Sequence, residues 1–140
     1  WVEPVNATYR DRYRIFELPP NPQGLAALQQ LNILERFDLR AMGFNTADYL
    51  HVHIEAKKLA FADRAKYYAD PDFVDIPIEW LISKEYAHER SKLIDMRKAA
   101  DKVDAGTPTG HWTDSGTPKT QDKPHTGDTI YLTASDSKGN

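Results

Sequence analysis

Three groups of residues in this chain have types and spacings that bear on chemistry. The first is a threonine near its end, in Gly127-Asp128-Thr129-Ile130-Tyr131-Leu132-Thr133-Ala134-Ser135-Asp136. Ile130, Leu132 and Ala134 alternate with Thr129, Tyr131, Thr133 and Ser135, which predicts a β-strand with one apolar and one hydroxyl-bearing face. Asp136-Ser137-Lys138-Gly139-Asn140 then reads as a turn. A threonine hydroxyl is a poor nucleophile until a base takes its proton, and a threonine that opens a strand is most often only a strand residue. The second group is His51-Val52-His53-Ile54-Glu55. On a helix His51 and Glu55 share a face, but His53 points about 200° away. Two converging ligands do not make a metal centre, so packed or solvated helix residues are expected and no metal. The third is Asp70, Asp72 and Asp75. They lack the glycine and terminal glutamate of a calcium loop, and a capped turn is expected instead.

The elements that must position these residues are mostly helical. Tyr13-Arg14-Ile15-Phe16-Glu17-Leu18 reads as a short strand ended by Pro19-Pro20, and residues 1–11 show no clear period. Asn21 as N-cap and Pro22 at the first helical position open a helix running to about Glu35. Gly24 near its start leaves room for close backbone packing. Asn45 or Thr46 caps the longest helix, expected over about 47–68. Leu50, Ile54, Phe61, Ala65 and Tyr68 fall on one stripe of it, interrupted by Lys57. Val52, Ala56 and Leu59 fall on a second stripe, roughly opposite. A helix apolar on two faces is expected to be packed on both, more than so short a chain supplies. Pro77 opens a short helix over 78–82, and Ser83 caps another over about 84–102. Within that last helix Glu85 and Glu89 lie near Arg90 and Lys92, and Asp63-Arg64 is the expected ion pair of the long helix.

The chain has 140 residues, a net charge of -3 and no cysteine. It has no basic block of the kind nucleic acid requires, no apolar run long enough to span a bilayer, and no signal-peptide pattern. Disulfides and thiolate metal sites are excluded, and no cofactor is implied. Trp1 is not an initiator methionine, so the natural start is expected to lie upstream or to have been removed. From 101 to 128 the only large apolar residues are Val103 and Trp112. Such a segment is expected to be a mobile linker.

Three blocks of this sequence resemble the gamma-glutamyltranspeptidases. Glu17-Leu18-Pro19-Pro20, Gly24 and Leu31-Asn32-Ile33-Leu34-Glu35-Arg36-Phe37-Asp38 resemble the family's Pro-Pro turn and helix end. Glu55-Ala56-Lys57-Lys58-Leu59-Ala60-Phe61-Ala62-Asp63-Arg64 with Ala69-Asp70-Pro71-Asp72-Phe73 resembles its long helix and the turn that follows. Gly127-Asp128-Thr129 through Asp136, with Gly139-Asn140, resembles the start of its small chain. The chain departs from the pattern at Asn21-Pro22-Gln23-Gly24, where many members carry serines and paired glycines. It departs again at Ile130 and Tyr131, where well-known members have threonine and histidine. These differences point to a divergent branch.

The resemblance implies a self-cleaving precursor, cut between Asp128 and Thr129, with Thr129 as the nucleophile. Residues 1–100 would then be the helical part of the large-chain region, 101–128 the segment before the cut, and 129–140 the first strand of the small chain. The implied fold is α+β, a mostly helical fragment of the N-terminal-nucleophile hydrolase αββα sandwich with a short N-terminal strand and a C-terminal strand. The implied substrates are γ-glutamyl amides of the glutathione type, and the implied partner is the remainder of the same polypeptide. The carboxylate-binding arginine would lie upstream of Trp1. The second threonine, the aspartate, the serines and the oxyanion-hole glycines would lie beyond Asn140, so this chain by itself is expected to be inactive. The unpaired terminal strand is expected to self-associate, since an open edge invites pairing. The competing reading is a non-catalytic helical interaction module whose terminal strand pairs with a partner. The sequence flanking the chain on both sides discriminates the two.

Overall fold

The computed structural model describes residues 1–108 and 132–139. The elements run β1 (Val5–Tyr9), β2 (Tyr13–Glu17), α1 (Gly24–Leu34), α2 (Leu39–Met42), α3 (Ala47–Tyr67), α4 (Ile78–Leu81) and α5 (Lys84–Ser91).

The strand expected at 13–18 is present as β2, and it has a partner the sequence reading missed. β1 pairs with it antiparallel, from Val5↔Glu17 to Tyr9↔Tyr13. The signal was there: Val5, Ala7 and Tyr9 turn to the half-buried side while Asn6 and Thr8 are exposed, a period of two. The turn obscured it. Arg10 and Asp11 both take positive φ, 53° and 50°, as the right-handed twist of a tight hairpin demands. Their types are not the Asn-Gly that would advertise such a turn. Lys84 ties the hairpin to the helices by donating to the Thr8 carbonyl at 2.5 Å, to Asn32 Oδ1 at 2.7 Å and to Glu35 Oε2 at 2.5 Å.

α1 begins at Gly24, later than Asn21-Pro22 suggested, and Gln23 precedes it without a side-chain cap. The glycine is required by proximity: a Cβ there would meet the Glu17 Cβ at 2.7 Å. α3 occupies the expected span. Thr46, not Asn45, caps it, accepting from the Tyr49 N–H at 3.2 Å. Of its two apolar stripes, Val52, Ala56 and Leu59 are buried, with Ile33, Leu34 and Ala87 around them. The other stripe is uncovered at its N-terminal end, with Leu50 46% and Ile54 54% exposed, whereas Phe61 is half-buried and Tyr68 packs on a second cluster. That cluster joins Leu25, Tyr67, Ile76, Leu81 and Tyr86.

The largest correction concerns α5. It is capped by Ser83 as expected but ends at Ser91 rather than near 102. Local charge pattern favours a longer helix. Tertiary hydrogen bonds to α3 claim the backbone beyond it instead, turning residues 95–106 into a strap along α3.

Candidate functional site

The strap follows α3 in the same direction and is fastened at three levels. His51 Nε2 meets the Asp95 carbonyl at 2.8 Å. Ala100 donates its N–H to Glu55 Oε2 at 3.1 Å, and its carbonyl accepts from Lys58 Nζ at 2.8 Å. Gly106 donates its N–H to Asp63 Oδ1 at 2.9 Å, and its carbonyl accepts from the Tyr67 hydroxyl at 2.5 Å. The strap belongs to no sheet, so side chains of α3 satisfy backbone groups that would otherwise lack partners.

Asp63 is the centre of the third level and is fully buried. Besides Gly106, its carboxylate accepts from Gln29 Nε2 at 3.0 Å. The Tyr86 hydroxyl lies 2.8 Å from each of its oxygens. Arg90 Nη2 stands 3.4 Å from Oδ1 and also donates to the Leu59 carbonyl at 3.1 Å. Tyr68 extends the network by donating to Gln29 Oε1 at 2.6 Å. Burial pushes the Asp63 carboxyl above its ordinary range, against the Gly106 N–H, the Arg90 charge and the donors of Tyr86 and Gln29. Burial also raises the Tyr68 and Tyr86 hydroxyls, and the Asp63 charge adds to it. They therefore stay protonated and act as donors. With both oxygens engaged, Asp63 is suited to holding the backbone rather than to moving a proton.

The ion pair expected between Asp63 and Arg64 does not form. Adjacent helix residues do not face each other: Arg64 lies over the Phe61 ring at 5.3 Å, while Asp63 turns inward to Arg90. Arg90 is correspondingly buried and absent from the solvated charge face expected of it, whereas Glu89 does pair with Lys92 at 2.7 Å. The sequence did carry a signal for the network. Glu55 and Asp63 fall in register with Val52, Ala56 and Leu59, and an acid within an apolar stripe announces a buried partner.

The histidines are otherwise engaged. His51 fastens the strap, and His53 Nδ1 meets the Tyr49 carbonyl at 2.8 Å. Glu55 sits 2.7 Å from Lys58 Nζ. Asp70 makes the expected capped turn, accepting the Asp72 N–H at 3.0 Å.

Thr129, Asp128, Ile130 and Tyr131 lie outside the described residues, as does most of the expected linker. Of the terminal strand, residues 132–136 carry no ladder, and residues 132–139 are all exposed. A strand needs a second strand to complete its hydrogen bonds, and none of the described residues supplies one. The expected turn is present: Lys138 donates its N–H to Asp136 Oδ1 at 2.8 Å, and Gly139 takes a φ of 81°. No helix among the described residues is long and apolar enough to cross a membrane.

The hairpin and helices give the mostly helical α+β architecture expected of a portion of an N-terminal-nucleophile hydrolase. The chain belongs to the gamma-glutamyltranspeptidase family, whose model matches residues 1–140. It is 39% identical over 138 residues to the acylase ACY 1 proenzyme of Pseudomonas sp. strain SE83, covering 99% of this chain and 22% of that protein. It is 42% identical over 97 residues to the glutathione hydrolase proenzyme of Escherichia coli K12, covering 69% of this chain and 17% of that one. Among solved structures it resembles Helicobacter pylori gamma-glutamyltranspeptidase at 35% identity and a TM-score of 0.67, covering 71% of this chain and 28% of that one. It also resembles the cephalosporin acylase of Bacillus halodurans at 47% identity and a TM-score of 0.62, covering 68% and 17%. The chain thus spans about a fifth of the length of these curated relatives.

Proposed function

We propose that the chain is part of a self-cleaving enzyme that hydrolyses or transfers γ-glutamyl groups, with Thr129 as nucleophile. The observation that carries this reading is that the family match runs through Gly127-Asp128-Thr129 to the last residue. In the precursor the Thr129 nitrogen is in the peptide bond to Asp128, so its amine is not free. The Thr129 hydroxyl attacks the Asp128 carbonyl carbon, the C–N bond breaks, and the nitrogen leaves as an amine, giving an ester. Water opens the ester, leaving a carboxylate on Asp128 and returning the Thr129 hydroxyl beside the amine already freed. That amine, with an unperturbed pKa of about 8, can then take the proton of its own hydroxyl. The activated oxygen attacks a γ-glutamyl amide and expels the amine. Water or an acceptor amine resolves the acyl-enzyme.

On this reading residues 1–100 are the helical part of the large chain, 101–128 the segment before the cut, and 129–140 the first strand of the small chain. The uncovered Leu50 and Ile54 face and the unladdered terminus pack against the remainder of the same polypeptide. The isolated chain is inactive because its other substrate-binding groups and its oxyanion donors lie elsewhere. Mass spectrometry of the purified full-length protein is expected to show a small chain beginning at Thr129. An uncut protein that still hydrolyses a γ-glutamyl anilide sinks the nucleophile assignment.

A second reading keeps the threonine chemistry and changes the acyl group. Over 99% of this chain, identity to the two acylase ACY 1 proenzymes is 39% and 40%. Over the same share, identity to the Bacillus subtilis glutathione hydrolase proenzyme is 31%. Ile130 and Tyr131, which depart from the transpeptidase pattern, stand next to the nucleophile. Comparing kcat/KM for a γ-glutamyl anilide with that for a cephalosporin amide separates the two.

A further inference from the structure

The third fastening of the strap differs from the others in a way that bears on the cut. Both backbone polar groups of Gly106 are held, the N–H by Asp63 and the carbonyl by the Tyr67 hydroxyl. No larger residue fits there, because a Cβ on residue 106 would lie 2.7 Å from two carbons of the Tyr86 ring. The ring cannot yield easily, since its hydroxyl is bonded to Asp63. Ala105 packs against the cluster containing Tyr67 and Tyr86, just ahead of the clamp. The backbone is therefore fixed at residue 106, and Asp128 follows 22 residues later in the sequence.

We infer that the clamp of Asp63 and Tyr67 on Gly106 positions the segment that carries the self-cleavage site, an inference resting on the Thr129 reading above. Asp63 and Tyr67 are positioning residues; neither touches the reacting atoms. Without the clamp the segment would start from the Ala100 fastening or from the end of α5. Chain entropy alone makes the longer tether a weak penalty, of about twofold in the chance of reaching one geometry. The expected loss in cleavage rate is therefore at least about twofold for Gly106→Ala, Asp63→Asn and Tyr67→Phe, each of which opens the clamp.

The test is a time course of cleavage in the full-length precursor, read by mass spectrometry, with melting temperature measured on the same samples. Turnover of a γ-glutamyl anilide is measured on the fraction already cut. Slowed cleavage with near-normal turnover per cut molecule supports the inference, in Tyr67→Phe at a near-normal melting temperature and in Gly106→Ala and Asp63→Asn despite the lower one that the tight fit at residue 106 and the unpaired Arg90 charge impose. Folded Gly106→Ala and Tyr67→Phe precursors that cleave at the wild-type rate overturn it. A clamp that is merely structural lowers melting, turnover and cleavage together, which also overturns it. Should Gly106→Ala and Asp63→Asn fail to fold, Tyr67→Phe decides the matter. Thr129→Ala runs alongside: a precursor with that change that is still cut at this bond refutes the nucleophile reading itself. Full blockage by Thr129→Ala with normal cleavage in the clamp variants refutes the clamp alone.

Discussion

Glu55 and Asp63 do the same job eight residues apart on one helix. Each is a buried carboxylate of α3, 2% and 0% exposed, that catches a backbone N–H of the strap. Their acidities nonetheless move in opposite directions. For Glu55, burial pushes the carboxyl up, but Lys58 and the Ala100 N–H outweigh it and the net shift is downward. For Asp63, burial wins over every donor and over Arg90. Geometry explains the difference. Lys58 sits 2.7 Å from Glu55 and its side chain is 33% exposed, so it need not be stripped of water to pair. Arg90 is 3.4 Å from Asp63 and its side chain is 6% exposed, so both charges give up solvent for a longer contact. Two equivalent hydrogen-bonding roles can thus carry opposite electrostatic costs, decided by how deep the carboxylate lies and by the distance and hydration of its counter-ion.

The strongest way to break this comparison is to remove one charge of the inner pair. Asp63→Ala strips the Gly106 N–H, Gln29 and Tyr86 of their acceptor and leaves Arg90 buried without its counter-ion, and is expected to cost the full-length protein about 3–5 kcal/mol, read by denaturant unfolding. Glu55→Gln is expected to cost only about 1 kcal/mol, because the amide oxygen still accepts the Ala100 N–H and the ion pair it loses is partly hydrated. A loss for Glu55→Gln equal to that for Asp63→Ala would show that hydration of the counter-ion does not separate the two sites.

The pH dependence sharpens the same contrast. Glu55 has its folded pKa lowered, so its contribution to stability is present above about 4.5 and is lost as pH falls through the lowered value. Asp63 has its folded pKa raised, so its contribution is full below about 3.8 and is lost as pH rises through the raised value. In melting curves between about pH 2.5 and 7, Glu55→Gln should therefore lose part of the wild-type fall at acid pH. Asp63→Asn should gain on the wild type as pH rises from the same starting point. Slopes of the same sign for both variants would contradict the assignment. An effect of similar size, about 1 kcal/mol in the same unfolding assay, is expected from Lys58→Met, which removes the partly hydrated ion pair together with the donor to the Ala100 carbonyl.

What could be read in advance follows the range of the interaction. The Thr46 cap, the span of α3, the tight packing at Gly24 and the turn at Asp70 rest on contacts within a few residues, and all were legible. β1 was legible in principle from Val5, Ala7 and Tyr9, but its turn lacked the usual residue types. α5 was overextended because the groups that end it lie on another helix. Asp63 was noticed and given the wrong partner, because a neighbour in sequence stood in for a neighbour in space.

The sequence by itself determined the family, through blocks that survive as strings of residue types, and it determined the span of α3 and the presence of α1, α4 and α5, whose hydrogen bonds close within four residues. Only the tertiary structure decided which face of α3 is buried, that Arg90 and not Arg64 answers Asp63, and that the chain beyond α5 is a strap held at Gly106. Those outcomes depend on contacts spanning 27 to 45 residues, from Arg90 to Asp63 and from Ala100 to Glu55. No local pattern encodes such pairings, since their energy exists only once the helices have packed.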